Sequence, residues 1–146
     1  MEKIFVEPSI TYTTRLVKSE DLNHHGTLFA GRTAEWFVES GFIAAAKLLN
    51  PQNVVCLKIH GMYFSKPALP GDILVFLSKI VWAGNTSLVA YVEVKNKEMD
   101  FAFVSGYITF IHVNQHTKPA AHNIVITPQT QEELHLFNTA KGLKTK

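Results

Sequence analysis

One segment, running from about residue 27 to the Asn-Pro pair at 50–51, is apolar on nearly every side of a predicted helix. Its apolar and small residues recur at spacings of three and four, which is typical of a helix, and Asn50 and Pro51 are expected to end it. Its only charged residues are Arg32, Glu35, Glu39 and Lys47. A helix that is apolar all round must be buried on most sides, so the rest of the chain is expected to wrap around it.

Five other runs are rich in Val, Ile, Thr, Phe and Tyr and are separated by turn-forming residues, a pattern that predicts strands. They are ITYTTRLV before the helix, and VVCLKIHGMYF, DILVFLSKIVW, TSLVAYVEVK and FAFVSGYITFIHV after it. In the fourth run, Leu88, Ala90, Val92 and Val94 alternate with more polar residues, which indicates a sheet with one buried face. We therefore expect an α+β fold in which an antiparallel sheet curls around one long helix.

The 146 residues have the length of a single domain, which we expect to span 1–146, with its core at about 10–113 and a tail at 114–146. In the tail, Thr127 resembles an N-cap, Pro128 suits the first position of a helix, and Gly142 suits a stop. The sequence therefore predicts a short C-terminal helix.

Composition limits the partners and the compartment of the protein. The formal net charge is only +2, and the Lys and Arg residues are scattered apart from the tail KGLKTK, so we expect no nucleic-acid partner. No signal-peptide pattern and no apolar run near the ~20 residues of a membrane helix is present, so we expect no membrane partner. The single cysteine, Cys56, suits a reducing compartment and is expected to be buried. These features predict a cytoplasmic protein.

Several motifs resemble those of the hotdog-fold acyl-CoA thioesterases over residues 10–113. NHHGTLFAG is similar to the family pattern N-x-x-G-x-x-F-G-G, with Ala30 in place of one glycine, and it leads directly into the long helix. FSKPALPGDIL, VWAGNTSLVAYVEV and VSGYITFIHV resemble later family segments, although the turns in them also occur in ordinary hairpins. The resemblance implies a homodimer with two active sites at the subunit interface, often assembled into tetramers or hexamers. It implies an acyl-CoA substrate and no further cofactor.

The crowded start of the helix suits thioester hydrolysis. Negative charge develops on the carbonyl oxygen during this reaction, and the free N–H groups of a helix N-terminus can stabilise it. Small residues let a substrate approach that backbone. The predicted oxyanion and substrate-binding residues are His24, His25, Gly26, Ala30 and Gly31.

A carboxylate must also activate water or attack the carbonyl, and the helix carries two. The family resemblance implies an aspartate seven residues after the second glycine, but that position holds Val38 in this chain. Because helical side chains lean toward the N-terminus, Glu39 is the first candidate for base or nucleophile. Glu35 is the second candidate, since Arg32 competes for it, and Asn23 is expected to orient the water or the carbonyl.

The turn AGNTS is similar to a G-R-T-S segment of the family, which implies that Asn85, Thr86 and Ser87 lie by the CoA moiety. Asn85 stands where the family pattern has an arginine, so a charge contact with a phosphate is missing.

Plainer interpretations of these residues remain open. Asn23 also suits a turn or cap, and Arg32 with Glu35 also suits a surface ion pair. The histidines do not have recognisable metal-ligand spacing, so no metal site is expected, and the G-x-S-x-G turn of serine hydrolases is absent. The alternative function is a hotdog protein that binds acyl-CoA or acyl-carrier protein without hydrolysis, with Val38 marking the lost catalysis. A hotdog dehydratase or hydratase ranks third, because its signature is missing.

Overall fold

The computed structural model describes residues 2–143, and its framework is an antiparallel sheet wrapped around a helix. The strands are β1 (Ile4–Val6), β2 (Thr11–Leu16), β3 (Val54–Ile59), β4 (Tyr63–Phe64), β5 (Ile73–Ala83), β6 (Ser87–Asn96), β7 (Ala102–His112) and β8 (Ile124–Ile126), and the helices are α1 (Ala30–Ala46) and α2 (Gln131–Leu143). The main sheet has the order β2-β5-β6-β7-β3, and β4 also pairs with β7. Every pair in it is antiparallel. This arrangement confirms the predicted α+β hotdog fold.

The alternation in β6 is confirmed as the buried face of the sheet. The side chains of Leu88, Ala90, Val92 and Val94 are fully buried in a core cluster that includes Phe37 of α1. Trp36 of α1 meets Phe76 of β5 edge to face, with ring centroids 6.2 Å apart. Burial of several large apolar side chains, each contributing about 1.5–3 kcal/mol, therefore attaches the helix to the sheet.

Helix α1 begins at Ala30, three residues after the predicted start. The backbone N–H of Leu28 donates to Ala68 O at 2.9 Å and that of Phe29 donates to Asp21 O at 2.9 Å, so tertiary hydrogen bonds hold this part of the chain outside the helix. Phe29 is the extended N-cap residue, with φ −66° and ψ 129°. None of the helices within residues 2–143 has both the length and the apolar character needed to cross a membrane.

The run VVCLKIHGMYF forms two short strands rather than one. Residues 60–62 separate β3 from β4. Gly61 has a φ of 128°, a backbone angle that residues with a side chain rarely adopt. Strand β3 is an edge of the main sheet and contains a register shift between Cys56 and Lys58. The expectation that Cys56 is buried is wrong for the single chain, because this edge strand leaves it exposed.

A small parallel sheet was not predicted from the sequence, and the last helix begins later than predicted. Strands β1 and β8 pair in parallel, and Thr127 extends this pairing by donating its N–H to Val6 O at 2.8 Å. Thr127 therefore does not cap α2; Thr130 does, accepting from Glu133 N at 3.0 Å. Gly142 lies inside α2 and is not its stop.

Helix α2 lies on the other side of the main sheet from α1. Its Leu136 and Ala140 are buried in a second apolar cluster with Val81 and Trp82 of β5 and Val89 of β6. The two faces of the sheet therefore have different covers, and the start of α1 lies on the face that α2 does not cover.

Candidate active site

The N-terminus of α1 offers two backbone N–H groups to a ligand. Arg32 N and Thr33 N both donate to Phe29 O, at 3.0 and 3.1 Å. The N–H groups of Ala30 and Gly31 precede the first intrahelical bond, and within residues 2–143 neither has a hydrogen-bond acceptor. The first turn itself contains no acidic residue, which leaves the positive end of the helix dipole open to an anionic group of a ligand.

The side chain of Asn23 organises the loop in front of this terminus. Its Oδ1 accepts from His25 N at 2.9 Å and from Thr27 N at 3.2 Å, and its Nδ2 donates to Thr27 Oγ1 at 3.0 Å. Gly26 adopts a φ of 79°, which glycine accepts without strain. The loop conformation thus depends on Asn23, in agreement with the plainer interpretation of that residue.

The loop carries two histidines, and the first turn of α1 carries Gly31. His24 and His25 are exposed, and their ring centroids lie 3.9 Å apart. A Cβ at Gly31 would lie 2.5 Å from Cε2 of the Phe29 ring, so this glycine keeps the ring close to the helix. Among residues 2–143, no group of three or more His, Cys, Asp or Glu residues could hold a metal ion.

Both candidate carboxylates have arginine partners. Glu39 is ion-paired with Arg15 of β2, while Glu35 lies 3.4 Å from Arg32 Nη1. The Glu35 side chain is 64% exposed and the Glu39 side chain is 53% exposed. Arg15 therefore competes for Glu39 in the same way that Arg32 competes for Glu35, which the sequence did not indicate.

A third acid, Asp21, lies at this helix terminus and was not predicted from the sequence. Its side chain is 3% exposed, and its Oδ1 lies 3.2 Å from Arg32 Nε. The backbone N–H of Lys18 donates to it at 2.9 Å and, with smaller effects from the Lys18 and Arg32 charges, lowers the pKa of the carboxyl group. Asp21 thus anchors Arg32 at the start of α1. The acids in KSEDLN were the only sequence signal for it.

Val38 and Glu39 face different edges of the sheet. Val38 is half-buried against the core and lies one turn before Phe42, whose ring centroid is 6.0 Å from that of Phe110 in β7. Glu39 instead reaches Arg15 on β2. Because β7 and β3 end the sheet on one side and β2 ends it on the other, Val38 faces the β3 side and Glu39 faces the β2 side.

The turn Asn85–Ser87 is far from the helix N-terminus in the same chain. Leu28 and Thr33 share a cavity of about 30 Å³ with Leu74 of β5 and Val94 of β6, whereas the turn joins the opposite ends of these two strands. The rise per strand residue separates the two places by roughly 30 Å. One chain therefore does not bring the two predicted groups of site residues together.

A cleft of about 240 Å³ lies beside this turn, on the outer face of the sheet. Thr86 and Ser87 line it together with Lys58, His60 and Thr109 over an apolar floor, and of the described residues in its lining Lys58 alone carries a fixed charge. His60 Nε2 and Thr109 Oγ1 are hydrogen-bonded at 2.7 Å. Burial, assisted by the Lys58 charge, lowers the pKa of His60. The cleft therefore suits an anionic group attached to a less polar chain.

Comparisons with known proteins identify the family of the chain. The sequence profile of the thioesterase superfamily matches residues 25–102. An uncharacterized acyl-CoA thioester hydrolase of Bacillus subtilis (strain 168), YkhA, is 29% identical over 144 residues, which are 95% of this chain and 82% of the relative.

Two solved structures show the same fold. An acyl-CoA hydrolase of Staphylococcus aureus, in complex with butyryl coenzyme A, coenzyme A and coenzyme A disulfide, has a TM-score of 0.81 and 27% identity, covering 91% of this chain and 80% of its own. A hexameric acyl-CoA thioesterase in its apo form has a TM-score of 0.84 and 31% identity, covering 93% and 88% of the two chains.

Proposed function

The chain belongs to the thioesterase superfamily, and on that premise we propose that it hydrolyses acyl-CoA thioesters to a free acid and CoA. In this reaction the oxygen of water bonds to the acyl carbon, the carbon–sulfur bond breaks, and a proton from the water ends on the sulfur. The observation that carries the proposal is the N-terminus of α1, where the N–H groups of Ala30 and Gly31 have no acceptor within residues 2–143. Such donors stabilise the oxyanion of the tetrahedral intermediate.

The loop residues complete the binding site in this proposal. The hydrogen bonds of Asn23 to His25 and Thr27 order this loop, and we propose that its residues His24, His25 and Gly26 contact the substrate bound at the two N–H groups. Asn23 orients the water or the thioester carbonyl through its amide. In this mechanism the N–H groups of the helix stabilise the oxyanion, a task that a metal ion performs in other hydrolases, and CoA enters only as part of the substrate. Dialysis against a chelator should leave turnover unchanged.

We propose Glu35 as the group that takes the proton from water, with Glu39 as the second candidate. Successive helical residues differ by about 100°, so Glu35 lies about 60° from Val38 and Glu39 about 100° from it. Both carboxylates have an arginine partner, but Arg15 draws Glu39 toward β2, whereas Glu35 lies nearer to the Val38 position by its angle on the helix. On these grounds we propose the reverse of the order that the sequence suggests.

The proposed site is completed by a second copy of the chain, which binds along β3. This edge strand leaves apolar side chains exposed, among them Leu57 at 65%, and Tyr63 of the adjoining β4 is 75% exposed. Unpaired, apolar edge strands are suited to pairing with another chain, and a two-fold axis makes such a pairing self-complementary. We propose a homodimer formed in this way, assembled further into a tetramer or a hexamer.

This dimer explains the separation of the two groups of site residues. Strand β3 begins near the β5–β6 turn, because Val54 pairs with His112 and His112 N donates to Thr86 O. A two-fold axis that pairs two β3 strands in antiparallel fashion reverses one copy. The turn Asn85–Ser87 of one chain then lies at the same end as the α1 N-terminus of its partner.

We propose that the CoA moiety lies along this turn. Asn85, Thr86 and Ser87 contribute polar groups, and Lys58 in the adjoining cleft supplies a cation for a phosphate, which Asn85 does not. This assigns the nucleotide end of the substrate to one chain and the thioester to the helix terminus of the other. We propose that the enzyme acts in the cytoplasm, where acyl-CoA is available.

The alternative function is acyl-CoA or acyl-carrier-protein binding without hydrolysis, and Val38 is the observation that favours it. The discriminating experiment measures free CoA released from a series of acyl-CoAs, acetyl to palmitoyl, with a thiol reagent. Cys56, which is exposed in the single chain, is a second thiol in this assay, so a Cys56→Ser variant with an unchanged assembly should be used. Release of CoA that depends on acyl-chain length supports hydrolysis. Tight binding of acyl-CoA with no release of CoA at any chain length supports the alternative function.

A further inference from the structure

Three consecutive backbone carbonyls of the β5–β6 turn are hydrogen-bonded to two histidines from other segments of the chain. Two of these bonds come from backbone N–H groups, and the third involves the ring of His122. His122 N donates to Asn85 O at 3.3 Å, and His112 N donates to Thr86 O at 2.7 Å. The ring Nε2 of His122 lies 2.9 Å from Ser87 O, which also accepts from Gly84 N at 2.9 Å. Every carbonyl of Asn85–Ser87 is therefore bound, although an exposed hairpin turn needs only its own closing bond.

The contacts of His122 define its tautomer. Ile124 N donates to the ring Nδ1 at 2.9 Å, so Nδ1 carries no proton, and Nε2 carries the proton that it donates to Ser87 O. The residue is 6% exposed, and its ring centroid lies 6.2 Å from that of His112. Both ring nitrogens are used, and a protonated Nδ1 would repel the Ile124 N–H.

We propose that His122 is a positioning residue for substrate binding: its Nε2–H fixes the Ser87 carbonyl, and thereby the conformation of the turn that receives the CoA moiety. The inference rests on the proposed function for the role of that turn. His122 does not contact the thioester. It acts through residues 84–87, and its loss changes the affinity for the CoA part of the substrate rather than the rate of the chemical step.

The structure offers a matched pair of substitutions at this position. In His122→Gln, the amide nitrogen replaces Nε2 and retains the bond to Ser87 O, while the bond from Ile124 N is lost. In His122→Asn, the amide oxygen replaces Nδ1 and retains the bond from Ile124 N, while the bond to Ser87 O is lost. Each variant breaks one hydrogen bond of the same buried ring, so a general loss of packing affects both alike. His116→Gln, at an exposed site in the same connection, is the control.

Steady-state kinetics and amide hydrogen exchange test the proposal. His122→Asn should raise KM for acyl-CoA by roughly three- to tenfold, the equivalent of one net hydrogen bond, with kcat within about twofold of the unmodified protein. Its KM for an acyl-N-acetylcysteamine, which lacks the nucleotide, should not change. Exchange of the Gly84 amide should be faster in His122→Asn and close to unmodified in His122→Gln and His116→Gln.

The outcomes separate this inference from the proposed function. If His122→Asn and His122→Gln change KM and Gly84 exchange equally, His122 supports the fold only, and the inference is overturned. If the unmodified protein releases no CoA, the proposed hydrolysis fails. In that case the affinity of each variant for CoA itself replaces KM. Weaker CoA binding and faster Gly84 exchange in His122→Asn than in His122→Gln would still support His122 as the residue that positions a CoA-binding turn, and equal values would overturn it.

Discussion

Arg15 on β2 pairs with the carboxylate of Glu39 on α1, and its guanidinium also lies 5.3 Å above the ring of Trp36. The guanidinium is thus held by an ion pair and by a cation–π contact, which stabilise a single arrangement of the pair. Glu39 is consequently directed to the sheet edge opposite β3. This relationship is the reason why we propose Glu35 rather than Glu39 for a site on the β3 side.

Substituting the two glutamates separately tests the proposed base. Glu35→Gln should lower turnover by about 100-fold or more, because loss of a general base removes proton transfer from the attacking water. Glu39→Gln should lower it by less than about tenfold. Turnover is measured with saturating acyl-CoA, after sedimentation and thermal unfolding show an unchanged assembly and Tm.

The control for these two variants is Arg15→Gln, which frees Glu39 without removing either carboxylate. Its turnover should stay near that of the unmodified protein if Glu35 is the base. If Glu39→Gln is the inactive variant instead, Glu39 is the base, as the sequence predicts. Full activity in both variants would exclude a carboxylate of α1 from the mechanism.

Substitutions of Asn23 separate its role in the loop from its role in the reaction. Asn23→Asp keeps an oxygen that accepts from His25 N and Thr27 N, so the Tm should change little, but it removes the amide donor and should reduce kcat. Asn23→Ala removes both acceptor bonds and should lower the free energy of unfolding by about 1–3 kcal/mol. An Asn23→Asp variant with unmodified kcat would limit Asn23 to its structural role.

Charge changes at the proposed CoA site should alter KM in opposite directions. Asn85→Arg adds a cation for a phosphate and should lower KM for acyl-CoA at low salt, whereas Lys58→Met should raise it. Both effects should weaken as salt screens the charges. Neither variant should change KM for an acyl-N-acetylcysteamine. Unchanged KM for acyl-CoA in both variants at low salt would place the phosphates elsewhere.

Assembly through β3 is tested with a charge on each edge strand. Sedimentation of the unmodified protein should give at least twice the monomer mass of 16.4 kDa. Leu57→Asp on β3 should shift it toward the monomer and abolish turnover, since the two halves of the site separate. Thr14→Asp, on the exposed face of β2, should do neither. An active, monodisperse monomer of the unmodified protein would reject the shared site.

Stability should fall in mild acid because of His122. Burial lowers the pKa of this residue from its ordinary value of 6.5, partly opposed by the bond to Ser87 O, while the neighbouring His112 and Lys3 add to the lowering. The unfolded chain therefore binds a proton before the folded one does. The contribution of the neutral ring is fully present above about pH 6.5 and is lost as the pH falls through the folded pKa.

Thermal unfolding at several pH values between about 7.5 and 5.5 measures this effect. The Tm of the unmodified protein should decrease across the range, and the decrease should be smaller for His122→Gln, which cannot be protonated. His60, whose pKa is also lowered, should account for part of the remaining slope. Equal slopes for the two proteins would show that His122 is not responsible.

The sequence by itself determined the main elements of this fold. A helix that is apolar on most sides, and strands such as β6 with Leu88 and Val92 on one face, follow from periods of 3.6 and 2 that depend only on local backbone geometry. The turn-forming residues between the strands also act through local backbone geometry, so the ends of most strands could be predicted from the sequence. The resemblance in NHHGTLFAG predicts a site at the start of the helix, and this part of the prediction needs no tertiary contact.

Only the tertiary structure decided the partners of the functional side chains. Arg15 and Glu39 are 24 residues apart, and His122 and Ser87 are 35 apart; no local period relates such residues. The same holds for Thr127, which extends the β1–β8 pairing instead of capping α2, and for α1, whose start depends on hydrogen bonds to Ala68 and Asp21. Each of these contacts forms only when the folded sheet brings distant segments together. A residue such as Thr127 could make either a local or a long-range hydrogen bond, and the complete fold determines which of the two forms.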